Sequence, residues 1–456
     1  NTIEIYYILI FKNGILYTKI NSTNFVTMKD SDDIVSIITC DLEGRIETFS
    51  KGAEEMFGYT AEEVISKKRV SIFSPGLVVL GHVSNWLKNA RKNKDGYSTR
   101  TTFIRKDGSK FAAEFKVTTT KKNGKHIGYC GKTRELLEVS PEDTMPKTSI
   151  TTRIISVVAI TRLPFLSATW IPIIAALIWG LNGNLFSMNW TTFILIMIGA
   201  SCLHLAANTF NDYFDWTSGT DQINNDYFLQ LSGGSRAIEL GLISTKQLFI
   251  LASTFLIISG IMGLGIMLSL GDNYLDLFYY GIAGAFSGYF YTGYPLRLVA
   301  RKGLGELLIG LNFGPLMTMG TVFAMSGIHS WDAFILGIPL GLLTTAILWI
   351  NQFPDMKSDE IAGKNHLVVV LGLEKSSWGF LFLMISAFTS IIAINYYDIV
   401  EDGILVSLLA LPLALMLCYK VLRDYDSRKL SIANWATIGI HFITGVLMII
   451  GMEFVN

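Results

Sequence analysis

The chain opens on short alternating stretches and closes on long unbroken ones. From about residue 154 onward, apolar runs of roughly twenty residues recur, the length that a bilayer core demands. They predict nine helices, near 162–180, 191–211, 246–270, 275–291, 304–326, 331–352, 376–396, 403–420 and 432–453. Ahead of them, residues 31–138 carry the shorter period of strands. The segment VSIITCDLEGRIETFS reads as a hairpin turning at Glu43-Gly44. GAEEMFGYTAEEVISK reads as short helices, with Thr60 and Glu63 forming a capping box. A helical run follows at 77–93, then strands near 97–105, 110–120 and 125–135 that turn at Asp107-Gly108 and Asn123-Gly124. Residues 139–153, with Pro141, Pro146 and several Ser and Thr, predict a linker able to extend to the membrane. Residues 1–30 form an uncertain leader segment. Its IEIYYILIF is too short to span a bilayer and reads as a strand or an incomplete leader. The expected fold class is an α+β domain followed by an all-α polytopic bundle of nine transmembrane helices over 154–456.

Composition sharpens this division. Half of the residues are hydrophobic, 16% are charged and the mean hydropathy is +0.42, values that membrane spans produce and soluble chains rarely reach. The formal net charge of zero gives no reason to expect a nucleic-acid partner, but it averages two unlike regions. Of 37 Lys and Arg, 25 precede residue 163 and the other twelve all fall in four connections. These follow the second span (Arg236, Lys246), the fourth (Arg297, Arg301, Lys302), the sixth (Lys357, Lys364, Lys375) and the eighth (Lys420, Arg423, Arg428, Lys429). The other connections hold Asp272, Asp276, Asp398, Glu401 and Asp402 and no basic residue. The positive-inside rule then makes the basic face and the amino-terminal region cytoplasmic, and nine spans leave the carboxy terminus outside. Cys40, Cys130, Cys202 and Cys418 are too scattered to suggest a disulfide framework or a zinc site.

Two of the basic connections are also rich in acids and amides. In HLAANTFNDYFDWTSGTD, a continuing helix would set Asn208, Asn211, Asp212 and Asp215 within about 100° of arc. In NQFPDMKSDEIAGK, Asn351, Asp355 and Asp359 share a face at i, i+4 and i+8, although Pro354 predicts a kink or a fresh helix start. Carboxylates gathered at a membrane boundary call for a cation. Hard oxygen donors suit Mg²⁺, which takes one or two carboxylates together with substrate phosphate oxygens. Arg236, following Gly233-Gly234, and Lys364 lie close to the clusters and fit a diphosphate, and Arg297 lies on the connection between them. Acidic residues at helix ends are individually often mere caps; two clusters on one face, each with a nearby cation, are harder to explain so. His204 is expected to be a packed or hydrogen-bonded histidine.

The segments NDYFDWTSGTD, GGSRAIELGLIS, YTGYPLRLVARKGLGELLIGLNFGP and FPDMKSDEIAGKNHLVVVLG resemble, in order, the signature regions of UbiA-type intramembrane prenyltransferases. The six-residue step from Asp215 to Asp221, the GGSR segment and the GKNHL stretch favour the 1,4-dihydroxy-2-naphthoate polyprenyltransferases of menaquinone synthesis. The resemblance implies Mg²⁺ held by Asn211, Asp212, Asp215 and Asp221 and by Asp355 and Asp359. It implies catalytic roles for Asp212, Asp215, Asp355 and Asp359, and a polyprenyl diphosphate bound through Arg236, Arg297, Lys364, Asn208 and Asn211. Tyr291 corresponds to an aromatic position lining the cavity, and the other substrate would be an aromatic acceptor. Asn365 and His366 stand where a basic residue and Thr are commoner, and Gln352 where an acid is frequent, which bears on substrate choice.

The order of elements in 31–138 and the segment AEEMFGYTAEEVI resemble a PAS sensory domain. Its ligand is not readable: no reactive-cysteine helix motif of the light-sensing type is found, and His82 is a weak haem candidate. Such a domain could sense a signal, tether the enzyme or support a homodimer. Other acceptors (another quinone, a polar lipid, haem), a catalytically silent receptor on the same fold and a transporter are the rival readings.

Overall fold

The structure is a computed structural model that describes residues 10–11, 14–15, 34–224, 234–270 and 274–454. Most of the segment read as a leader, together with Gly233 and Asp272, lies outside the described residues. Five strands, β1 (Val35–Asp41), β2 (Ile46–Phe49), β3 (Tyr97–Ile104), β4 (Lys110–Lys122) and β5 (Lys125–Glu135), form one antiparallel sheet. The spatial order is β2-β1-β5-β4-β3. The alternation in β1 buries Ser36, Ile38 and Cys40 on one face. The helix Lys51–Phe57 is capped by the Ser50 hydroxyl, and the Thr60–Glu63 box starts the helix Ala61–Val64. Phenylalanine rings fill the space between helices and sheet: Phe57 lies 4.3 Å from Phe73 and 5.5 Å from Phe111, and Phe103 lies 5.4 Å from Phe115. Burial, with Asp41 adding to it, pushes the Cys40 thiol up to about 12, and burial raises that of Cys130 as well. Both thiols stay protonated at neutral pH and are poor nucleophiles.

The segment after the sheet is packed against the amino-terminal domain. Pro141–Thr144 forms a turn of helix held to β3, where the Thr102 hydroxyl donates to the Pro141 carbonyl and lies 2.9 Å from the Thr144 hydroxyl. The Ser149 hydroxyl caps helix α1 (Ile150–Thr161). Helix α1 presses Thr152 against Gly81 of the amino-terminal domain and leaves Ile150, Ile154 and Val157 exposed at i, i+4 and i+7. The His82 side chain turns to the Lys147 carbonyl, 3.2 Å away.

The remaining helices build the bundle: α2 (Ser167–Asn182), α3 (Trp190–Thr217), α4 (Thr245–Met267), α5 (Tyr274–Phe290), α6 (Leu304–Asn312), α7 (Pro315–Ser326), α8 (Trp331–Ile361), α9 (Leu373–Tyr396), α10 (Leu411–Asp424) and α11 (Ser431–Phe454). Among the described residues, eight helical segments, not nine, are long and apolar enough to cross a membrane. The shortfall falls on the run expected at 275–291. Helix α5 has 17 residues, and Asp276, Tyr279, Tyr280, Ser287 and Tyr289 dilute its apolar character. It nonetheless runs from Asp276, 3.1 Å from His329 at one end of the bundle, to Tyr291 at the other. Helices α6 and α7 make one broken span. The break at Gly314 brings backbone against backbone on α8, where a Cβ would meet the Gly337 carbonyl oxygen at 2.4 Å.

Helix α8 runs 31 residues without interruption through Pro354, against the expected kink or fresh start. A proline ring deprives the carbonyl four residues earlier of its N–H partner. Here that carbonyl, on Ile350, accepts from the Asn434 side chain of α11 at 3.3 Å, and the same amide donates to Asn351 Oδ1 at 2.7 Å. The repair comes from a neighbouring helix, and the face bearing Asn351, Asp355 and Asp359 stays intact.

Candidate functional site

The two acidic motifs meet where α3, α8 and the turns that follow them converge. A polar pocket of roughly 100 Å³ is lined by Asp215, Asp221, Asp355 and Asp359 together with Asn211, Lys364 and Tyr291. Against it lies a larger, mostly apolar cavity of roughly 240 Å³, lined by Phe165, His204, Asn208, Leu308, Phe313 and Thr344 among others. The two share Arg162, Asn211, Tyr291, Leu348 and Asn351 as a common wall.

The two acidic motifs brace each other. Lys364, from the turn after α8, reaches Asp215 on α3 at 2.7 Å and Asp359 at 3.7 Å. Asn224, beyond α3, donates to Asp355 Oδ1 on α8 at 2.7 Å. His366 takes its backbone cap from Val369 N–H through Nδ1, so Nε2 carries the proton and donates to Asp359 Oδ2 at 3.0 Å. Burial alone would lower the Lys364 ammonium, but Asp215 and Asp359 outweigh it and hold it charged, above its usual range. Asp221 is pushed the other way: burial, with Asp215 and Asp212 nearby, raises its carboxyl well above the usual range although Arg236 opposes this.

Not every predicted residue faces the pocket. Asp212 is buried and turned toward Gly234 and Ser235, where it accepts from Ser235 N–H at 3.1 Å. Gly234, at φ 74°, permits this approach, since a Cβ there would lie 2.7 Å from Asp212 Oδ1. Arg236 is buried behind the pocket. Its guanidinium donates to the carbonyls of Asp221 and Asn224 and lies 3.3 Å from Glu239, so it shapes the turn that carries Asp221. Arg297 lies away from the pocket lining, over the Tyr294 ring and 3.3 Å from its hydroxyl. Asn208 lines the apolar cavity rather than the acidic pocket. His204 is buried and paired with the Thr169 hydroxyl at 2.7 Å, as a structural histidine.

Sequence reasoning missed Arg162, which lines both spaces; at the head of the first span it reads as a membrane-flanking charge. It missed Asn224, which lacks a motif, and Glu306, whose carboxylate is buried at 3% exposure between α6 and α8. Among the described residues no three His, Cys, Asp or Glu groups cage a metal by themselves. The donor set is nevertheless hard oxygen, and four carboxylates in one pocket exceed the charge of Lys364 and Arg162. That excess suits a divalent ion held jointly with phosphate oxygens.

A sequence profile of the UbiA prenyltransferase family matches residues 169–455, and a PAS-domain profile matches residues 33–131. The chain is 28% identical over 310 residues to a 2-carboxy-1,4-naphthoquinone phytyltransferase of Synechocystis sp., covering 67% of this chain and 95% of that protein. It is 32% identical over 204 residues to a 1,4-dihydroxy-2-naphthoate octaprenyltransferase of Haemophilus influenzae, covering 43% and 62% of the two chains. A solved apo UbiA homologue from Aeropyrum pernix K1 shares the fold at a TM-score of 0.50 and 15% identity, over 64% of this chain and 98% of that one. With the acidic pocket, the apolar cavity and the helical bundle in place, the chain belongs to the UbiA prenyltransferase family, an integral membrane enzyme that carries a PAS domain ahead of its catalytic bundle.

Proposed function

We propose that the protein transfers a polyprenyl group from its diphosphate to 1,4-dihydroxy-2-naphthoate, with Mg²⁺ as cofactor. The observation that carries this reading is the shared wall: a pocket lined by four carboxylates and Lys364 opens onto an apolar cavity through Asn211, Tyr291 and Arg162. The naphthoate prenyltransferases among its relatives support the acceptor. Asp215, Asp221, Asp355, Asp359 and Asn211 would hold the metal, which when bound neutralises charge building on the departing diphosphate. Lys364 and Arg162 add fixed positive charge beside the leaving group. Phe165, Phe313 and Tyr291 keep water from the allylic carbon and offer π faces to its developing charge. Asp212, Arg236 and Arg297 act on the loops rather than on the diphosphate.

The membrane orientation belongs to the same proposal. Helix α5, although roughly 25 Å long at 1.5 Å per residue, completes a ninth crossing. The basic connections then lie together on the cytoplasmic face with the pocket and the PAS domain. Cysteine at Lys302 would be shielded from an impermeant outside reagent, and cysteine at Glu401 would be labelled; the reverse pattern overturns this orientation. The PAS domain acts on the enzyme through contact. Gly76 sits so close to the loop after Arg236 that a Cβ would meet the Leu240 carbonyl oxygen at 2.1 Å. That loop is a compact unit, with Leu240 N–H donating to Arg236 O and Leu242 N–H to Ala237 O, both at 2.9 Å. A signal or a homodimer partner that shifts the domain would shift the turn behind Asp221. The decisive assay for the function uses membranes carrying the full chain, Mg²⁺, a labelled polyprenyl diphosphate and a panel of aromatic acids. Labelled prenylated naphthalene product is expected. Transfer to other rings with none to the naphthoate would refute the acceptor.

A further inference from the structure

Gln352 stands three residues before Asp355, on the wall of the polar pocket, and is 6% exposed. Its amide orientation is fixed from behind. Glu306 Oε1 accepts from the Leu367 backbone N–H at 2.9 Å and from the Gln352 NH₂ at 3.3 Å, which sets the orientation of that amide. The amide oxygen, Oε1, is left buried with no hydrogen-bond partner among the described residues. On the same pocket wall the Tyr291 hydroxyl is also buried and unpartnered. A buried polar atom left unpaired costs about 1–3 kcal/mol, so two on residues that line one pocket point to a ligand that completes both.

The chemistry of the two orphans narrows that ligand. A metal with its diphosphate could complete them only as two separate partners, the cation on the Gln352 oxygen and a phosphate oxygen on the Tyr291 O–H. A single ring hydroxyl does both, donating its proton to Gln352 Oε1 and accepting from Tyr291. We propose that Gln352 and Tyr291 read a ring hydroxyl of the aromatic acceptor, and that Glu306 is the positioning residue that fixes the Gln352 amide. This rests on the acceptor reading above and names which groups enforce it. It also gives a role to Gln352, which departs from the acidic residue frequent at that position.

The test uses full-chain enzyme in membranes with a labelled polyprenyl diphosphate, the dihydroxynaphthoate and its two mono-O-methyl ethers. Gln352→Leu is expected to raise the KM for the acceptor roughly tenfold or more, leaving the donor KM and the Mg²⁺ half-saturation unchanged. It should also shrink the wild-type preference for the free hydroxyl over one methyl ether. Glu306→Met, which removes the oxygen that holds the Gln352 NH₂ and so lets that amide turn over, should give a smaller rise in the same KM. Because Met keeps the length of Glu, it also guards against misfolding of the Leu variant. Normal transfer to hydroxylated rings, with the acceptor KM unmoved in both variants or the change appearing in Mg²⁺ dependence instead, overturns this inference alone. Absence of transfer to every hydroxylated ring by the wild type overturns the proposed function and this inference with it.

Discussion

The two aspartate motifs look alike in sequence and sit differently in the fold. On α8, Asp355 and Asp359 both face the pocket and take partners from other elements, Asn224 for one and Lys364 with His366 for the other. On α3 the pair divides. Asp215 faces the pocket and meets Lys364, whereas Asp212, three residues earlier, turns back to hold the loop at Ser235. One motif thus presents two carboxylates to a ligand, and the other spends one of its two on architecture. Motif membership is therefore a poor guide to role; the direction of each side chain decides.

That comparison can be broken by substitution. The largest effect is expected from Asp215→Asn and Asp355→Asn, each removing a pocket-facing charge: transfer should fall by about two to three orders of magnitude. Equal activity in both variants would end the pocket assignment. Next comes Lys364→Met, which strips the bridge between the motifs. A loss of about a hundredfold with a raised KM for the prenyl diphosphate is expected, while the acceptor KM holds. Asp212→Asn should cost much less, about tenfold or below, because Ser235 N–H can still donate to the amide oxygen. If Asp212→Asn proves as damaging as Asp215→Asn, the division of roles on α3 is wrong. The smallest effect belongs to the domain contact: Gly76→Leu, which would press on Leu240, should change the rate a few-fold without altering the acceptor preference. An unchanged rate would reduce the PAS domain to a tether.

Much of this was legible before the structure because the underlying patterns are local. Apolar run lengths set the spans, the 3.6-residue period set the shared faces of Asn211 and Asp215 and of Asp355 and Asp359, and the Thr60–Glu63 box marked a helix start. What escaped was non-local. The Pro354 kink was a sound expectation from one helix, cancelled by an amide on another, Asn434. The family resemblance made Arg297 a diphosphate ligand, and its turn carries it onto Tyr294. The Pro, Ser and Thr of the linker marked it as a connection, but not that these residues supply the caps and hydroxyls that pack it on the sheet. Glu306 was silent for the same reason, and Gln352 showed only as a departure from the family pattern, since their meaning lies in one another, 46 positions apart in the chain.

The account turns on a metal that binds between the motifs only together with a diphosphate. The direct measurement is Mn²⁺ binding, as a spectroscopic substitute for Mg²⁺, by electron paramagnetic resonance on the purified full chain in detergent. It would be run with and without an unreactive polyprenyl thiodiphosphate. Weak binding alone, strong binding with the analogue, and loss of the strong site in either Asp215→Asn or Asp355→Asn are predicted. Strong Mn²⁺ binding without the analogue, or binding with it that survives both substitutions, would contradict the account.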